Sequence, residues 1–248
     1  MTTVAVPTLQ PLQSAPQFEE LLIRADRAAI VASLARGMAH DLRGPLQTLT
    51  LLVDPHADLL AGPEAGRLRG AVGDAVQHLT ETISSFSEVY APADGEASPV
   101  IVEDLLGYVA ELQRYQRNLP AIEIELRLPG GLPPVRGEES ALRHLLLGLL
   151  MNAKQSMPAG SHGTVVLAAT IEGGMVRLRV EDSGLGLAAE VRETAFEPFV
   201  TTRPGALGIG LTVARWLARR HGGELTLTAA ALGGTEALVT LPTWRRGS

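Results

Sequence analysis

The chain has 248 residues, 46% of them hydrophobic and 19% charged, which sets an expectation of one or two folded domains and excludes disorder throughout. A net charge of -6 and a pI near 5.5 argue against a general nucleic-acid binder. The absence of cysteine excludes disulfides, thiolate metal sites and a cysteine nucleophile.

Residues 1–17 are rich in Pro, Gln and Thr and read as a flexible tail; no basic residue precedes an apolar core, so no signal peptide is expected. The longest nearly unbroken apolar run, 145–151, is far too short to span a bilayer, so no membrane insertion is expected and the expected location is cytoplasmic. From Phe18 an apolar stripe recurs mostly at three- and four-residue steps, through Leu22, Ala25, Ala29, Ala32, Ala39, Leu42, Leu46, Leu49 and Val53, as in an amphipathic helix. Asp54-Pro55 and then Gly62-Pro63 with Gly66 mark a break and a loop. A second stripe follows at Leu68, Val72, Val76, Leu79, Ile83, Phe86 and Tyr90. Two such helices make a hairpin that cannot enclose a core alone; a second copy supplies the partner and gives a dimeric four-helix bundle over 18–90.

Residues 91–98 read as a linker, and beyond them the pattern is mixed. Helices are expected at 102–118, 140–157 and 208–220, with strands at 121–128, 164–171, 175–181, 224–229 and 235–241 and a short tail at 243–248. Hairpin-joined strands alternating with helices imply an α/β sandwich over 99–242, so the whole chain is of α+β class.

Three signals in this region bear on chemistry. Asp182-Ser-Gly184-Leu-Gly186 ends a predicted strand, where an aspartate can accept a hydrogen bond from an exocyclic amine; an ordinary turn gives the same pattern. Gly205-Ala-Leu-Gly208-Ile-Gly210-Leu211 opens a helix and suits phosphate, although it is neither a P-loop nor a Rossmann fingerprint. Asn152 stands in a Leu-rich helix, where its carbonyl is a hard ligand for Mg²⁺ or simply a polar group facing water.

Taken in order, with Phe196-Glu-Pro-Phe199 between the glycine signals, these residues resemble the GHKL (Bergerat) ATP-binding fold of sensor histidine kinases. Asn152 matches the N box, Asp182, Gly184 and Gly186 the first glycine box, and Gly208 and Gly210 the second. In the hairpin, Ala39-His40-Asp41-Leu42-Arg43-Gly44-Pro45 resembles the phosphoacceptor H box of HisKA type, most similar to the nitrogen-regulator and FixL kinases. An acidic neighbour suits a histidine that must lose a proton as it attacks phosphorus, and Pro45 should bend the helix nearby.

The resemblance implies that His40 is the nucleophile, Asp41 its general base and Arg203 a γ-phosphate stabiliser. It implies that Asp182 reads adenine with Thr235 nearby, that Asn152 holds Mg²⁺, and that Gly208, Gly210 and Leu211 open the phosphate-binding helix. Thr201 and Thr202 would belong to a mobile lid, and Lys154 either contacts phosphate or is solvated. ATP and Mg²⁺ are the implied cofactors. The implied partners are a second copy of the chain, a response regulator receiver domain and an upstream sensory protein. Three departures stand out. Gly44 replaces a Thr or Asn associated with phosphatase activity, so that activity is expected to be weak; Gly148 and Ala206 replace an Asn and a Gly of the nucleotide boxes. These last two favour an alternative, a degenerate nucleotide-binding homologue acting as a phosphotransfer or docking scaffold. An anti-sigma-type serine kinase shares the ATP fold but lacks the His-bearing hairpin.

Overall fold

The computed structural model describes residues 16–41, 97–112, 122–158, 161–203 and 206–245. The second hairpin helix at 68–90, the loop at 62–66, Gly44, Pro45, most of the linker and the four-helix bundle lie outside these residues.

The alternating strands build a five-stranded sheet. In chain order it takes β2 (Ile122–Arg127), β4 (Gly163–Glu172), β5 (Met175–Asp182), β6 (Glu224–Ala229) and β7 (Thr235–Pro242), after β1 (Ser98–Val100) and with β3 (Val135–Gly137) between β2 and β4. The spatial order is β2-β4-β5-β7-β6, with β2 parallel to β4 and the other pairs antiparallel. The parallel pair needs a crossover, and α3 (Glu139–Gln155) lies within it; the chain from β5 to β6 also crosses over, passing β7. The β4–β5 turn uses Gly173 and Gly174 at φ 60° and 78°, the geometry a two-residue hairpin demands.

Period two decides which face of the sheet is covered. Along β5, Val176, Leu178 and Val180 are buried while Arg177 and Arg179 pair with Glu172 and Glu236. The covering layer is α2 (Val102–Leu112), α3 and α5 (Gly210–Arg220), with α3 packed on α2, α5, β4 and β5. Leu145, Leu149, Leu178, Leu217, Leu225 and Val239 meet in that core. Arg215 and Arg219 both donate to Glu224 and tie α5 to β6.

The mixed-domain elements fall where their periodicity places them, within a few residues at the ends, except that 113–118 of the expected helix 102–118 lie outside the described residues. β1, β3 and the short helix α4 (Ala189–Thr194) are additions; a three-residue strand and a helix of under two turns are too short to display a period. Ser98, placed in the linker, pairs with Gly137 in the β1–β3 ladder. Thr243 bridges to Val135, and the Trp244 amide donates to Pro134 O at 2.7 Å, so the start of the C-terminal tail is tied down.

Helix α1 (Pro16–Asp41) starts two residues before the expected boundary, with proline in the first turn, where its missing N–H costs nothing. It packs against α3 and α5, on the α/β sandwich itself. The buried face carries Leu22, Ile23, Asp26, Ile30 and Leu34, whereas Ala29 and Ala32 of the expected stripe are exposed in the single chain. The larger side chains win the interface, and a carboxylate in their midst hides that face from a hydrophobicity pattern.

Candidate functional site

A cavity of about 670 Å³ opens between α3, the end of β5 and residues 200–211 leading into α5, with α1 along one side. One end is apolar, walled by Met151, Met157, Val180, Leu187 and Ala237. The Asp182 carboxylate lies there, 4% exposed, at the last position of β5. Its Oδ1 accepts the Gly184 amide at 2.8 Å and lies 3.0 Å from Ser156 Oγ. Burial raises the Asp182 carboxyl above its ordinary range; the Gly184 amide, the Ser156 hydroxyl and the Thr235 amide pull it back, and neighbouring Glu181 pushes it up. A Cβ on Gly184 would stand 2.8 Å from Asp182 Oδ1 and against Ser156, so only glycine lets the turn close over the carboxylate. A buried acceptor at the end of an apolar slot suits a flat heterocycle with an exocyclic amine.

The other end is polar. Gly208 has φ 66°, and a Cβ there would meet Phe199 C and Val200 O at 2.7 Å, so the chain can turn into α5 only through glycine. Gly210 opens α5, and Ile209 before it makes no side-chain cap, which leaves first-turn N–H groups for an anion. Arg203 Nη2 donates to Asn152 Oδ1 at 2.7 Å, and Nη1 donates to Gln155 Oε1. Burial lowers the pKa of Arg203. Asn152 Nδ2 is buried without a hydrogen-bond partner. Among the described residues no cluster of three or more His, Asp or Glu could hold a metal. A hard cation here would share the Asn152 oxygen with ligand phosphates and water, since Mg²⁺ takes few ligands from the protein.

Asn152, Asp182, Gly186, Thr201, Thr202, Arg203, Gly208, Gly210, Leu211 and Thr235 therefore line one cavity, with Gly184 packed behind it. Lys154 is neither solvated nor in the cavity wall: it is 1% exposed, and desolvation lowers its amine to about 7. Its place on α3, two residues past Asn152, turns it toward the core. The backbone of His40 and Asp41 ends α1, and their side chains lie outside the described ones. Ser156, Asp26 and His144 join the site without a sequence signal; each has its partner more than 25 residues away or on another helix.

Residues 137–245 match the family model of histidine kinase-, DNA gyrase B- and HSP90-like ATPases. The sensor histidine kinase ZraS of Escherichia coli O157:H7 is 29% identical over 93% of this chain and 50% of its own length. Sporulation kinase E of Bacillus subtilis (strain 168) is 26% identical over 91% of this chain and 30% of its own. The chain thus spans half or less of the length of these curated relatives. Among solved structures, the mycobacterial sensor histidine kinase MprB matches with TM-score 0.51 and 30% identity over 59% of this chain and 97% of that chain. Full-length ShkA in complex with AMPPNP matches with TM-score 0.53 and 27% identity over 93% of this chain and 47% of that chain. Together with a buried aspartate, the Asn152 carboxamide and a glycine-opened helix around one cavity, these likenesses mean that the chain belongs to the sensor histidine kinase family and carries its ATP-binding core.

Proposed function

We propose that this chain is an autokinase of HisKA type, most similar to the nitrogen-regulator and FixL subtype, which transfers the γ-phosphoryl group of ATP to His40. The observation that carries the reading is the shared cavity: a buried, prearranged carboxylate at one end and an uncapped helix N-terminus at the other. Asp182 accepts the adenine amine while Ser156 and Gly184 keep it oriented. Gly208 and Gly210 let backbone N–H groups reach the phosphates. Arg203 leaves Asn152 and Gln155 for the γ-phosphate, where a cation stabilises charge that develops in transfer. Mg²⁺, when bound, would neutralise the phosphates beside Asn152 Oδ1. A His40 ring nitrogen attacks the γ-phosphorus, the bond to the β,γ-bridging oxygen breaks, ADP leaves, and Asp41 takes the imidazole proton.

His40 lies on α1 about two turns, on the order of 10 Å, beyond Ser33, the last α1 residue that lines the cavity. Transfer to this histidine therefore requires the ATP-binding fold to move along the helix, or transfer to proceed between two copies. Residues 18–90 supply the dimeric bundle, and the phosphoryl group passes on to an aspartate of a response regulator. Gly44 offers no side chain to position a water, so phosphatase activity is weak. The core works in the cytoplasm, where ATP is; among the described residues no helix is long and apolar enough to cross a membrane. An upstream sensory partner acts through the N-terminal helix.

Incubation with γ-labelled ATP and Mg²⁺ tests this. Acid-labile, base-stable label is expected on the wild type and none on His40→Gln. Nucleotide binding without label on either protein would favour the scaffold reading that Gly148 and Ala206 suggest.

A further inference from the structure

Helix α1 brings to the cavity a carboxylate that no motif accounts for. Asp26 is 7% exposed and lines the cavity. Its Oδ2 accepts a hydrogen bond from His144 Nε2 on α3 at 3.0 Å, which fixes the orientation of the group. Its Oδ1 stands 3.6 Å from the point a Cβ on Gly210 would occupy, and Asn152 Nδ2 and Oδ1 stand 3.3 and 3.8 Å from the same point. Carboxylate and carboxamide thus flank the first residue of α5, where phosphates are expected. Gly148, one turn before Asn152 on α3, has no side chain, and a Cβ there would lie 3.9 Å from Asp26 Oδ2. The carboxylate from α1 fills the space toward which a side chain at 148 would grow.

A carboxylate held against a triphosphate in a partly desolvated cleft repels it unless a cation lies between them. Mg²⁺ commonly takes one or two protein carboxylates and completes its shell with phosphate oxygens and water. A ligating carboxylate is typically steadied by a hydrogen bond to its other oxygen, as His144 does here. We propose, on the reading of this cavity as an ATP site, that Asp26 is a ligand of the nucleotide-bound Mg²⁺, supplied by α1 in place of the side chain absent at Gly148. Mg·ATP is then held most tightly while α1 is docked, and by linkage Mg·ATP strengthens that docking. Metal-free ATP gains nothing from Asp26 and meets a like charge.

Calorimetric titration of the full chain with ATP, in Mg²⁺ or in EDTA, tests the assignment. Asp26→Asn keeps an acceptor for His144 but loses the charge. Its affinity for Mg·ATP should fall at least tenfold, while its affinity for metal-free ATP stays level or rises. Adding Gly148→Asn to Asp26→Asn should restore part of the Mg²⁺ dependence, which a misfolded variant could not do. Equal Mg·ATP affinity in wild type and Asp26→Asn overturns the inference alone, as does a parallel change with and without metal. A wild type that binds neither form of ATP overturns the nucleotide reading and this inference with it.

Discussion

The two ends of the cavity are built on different terms. At the base end, Ser156, Gly184 and Thr235 all hydrogen-bond to Asp182 and sit on or next to strands and a helix of one core. At the phosphate end, Asn152 Nδ2 has no hydrogen-bond partner, Asn152 Oδ1 is occupied by Arg203, and the wall includes a helix from outside the sandwich. A satisfied polar network is rigid and specific, whereas an unsatisfied one is poised to exchange partners. The contrast suggests that the base end recognises ligand without rearrangement and that the phosphate end completes itself only when the ligand arrives.

The largest effect should come from the end that must rearrange. Arg203→Ala removes the cation assigned to the γ-phosphate and frees Asn152 Oδ1 at the same time. Loss of a transition-state donor costs roughly 100- to 1,000-fold in rate. The rate of His40 labelling should fall by that order while ATP affinity by calorimetry changes little. A large loss of affinity with an unchanged rate at saturating ATP would assign Arg203 to the ground state and remove the contrast.

Asp182→Asn attacks the base end and should show the opposite split. An amide must turn its NH₂ toward the Gly184 or Thr235 N–H, the Ser156 hydroxyl or the incoming amine. A hydrogen bond involving a charged group contributes about 1.5–3 kcal/mol, or roughly 10- to 150-fold in affinity. ATP affinity should drop within that range, and the discrimination against GTP, whose C6 carries a carbonyl, should shrink. Maximal labelling rate at saturating ATP should be nearly retained.

The difference between the ends also governs what was legible in the sequence. The turn that carries the base-end carboxylate is written locally: a strand of alternating residues, then Asp182 and two glycines within five positions, each with a conformational reason to be there, whereas Ser156 reaches it from a distant segment. α3, the β4–β5 hairpin and the β6–β7 hairpin were readable for the same cause, because their periods run for several residues. The phosphate end depends on pairings between distant segments, Asp26 with His144 and Arg203 with Asn152, and periodicity carries no information about those. In α1 the expected stripe shares Leu22 with the buried face but then follows the small alanines and passes by Ile23, Ile30 and Leu34. Lys154 misled differently: a lysine is almost always exposed, yet the two positions beyond Asn152 carry the helix round to the core.

Lys154 provides the smallest and cleanest test of how rigid the core behind the cavity is. Its amine, lowered from 10.5 to about 7 by desolvation, holds fewer protons in the folded state than in the unfolded state between those values. Stability therefore rises with pH across that window, because the unfolded chain binds more protons there. The cost of burying the charge is fully present below about pH 7 and fades as the pH approaches 10.5. Lys154→Met, close in shape and without a charge, should flatten this rise between pH 7 and pH 10. Denaturant unfolding at the two pH values measures it. If both proteins follow the same pH dependence, then the amine reaches water in the folded chain, and α3 is a looser wall for the cavity than its packing indicates.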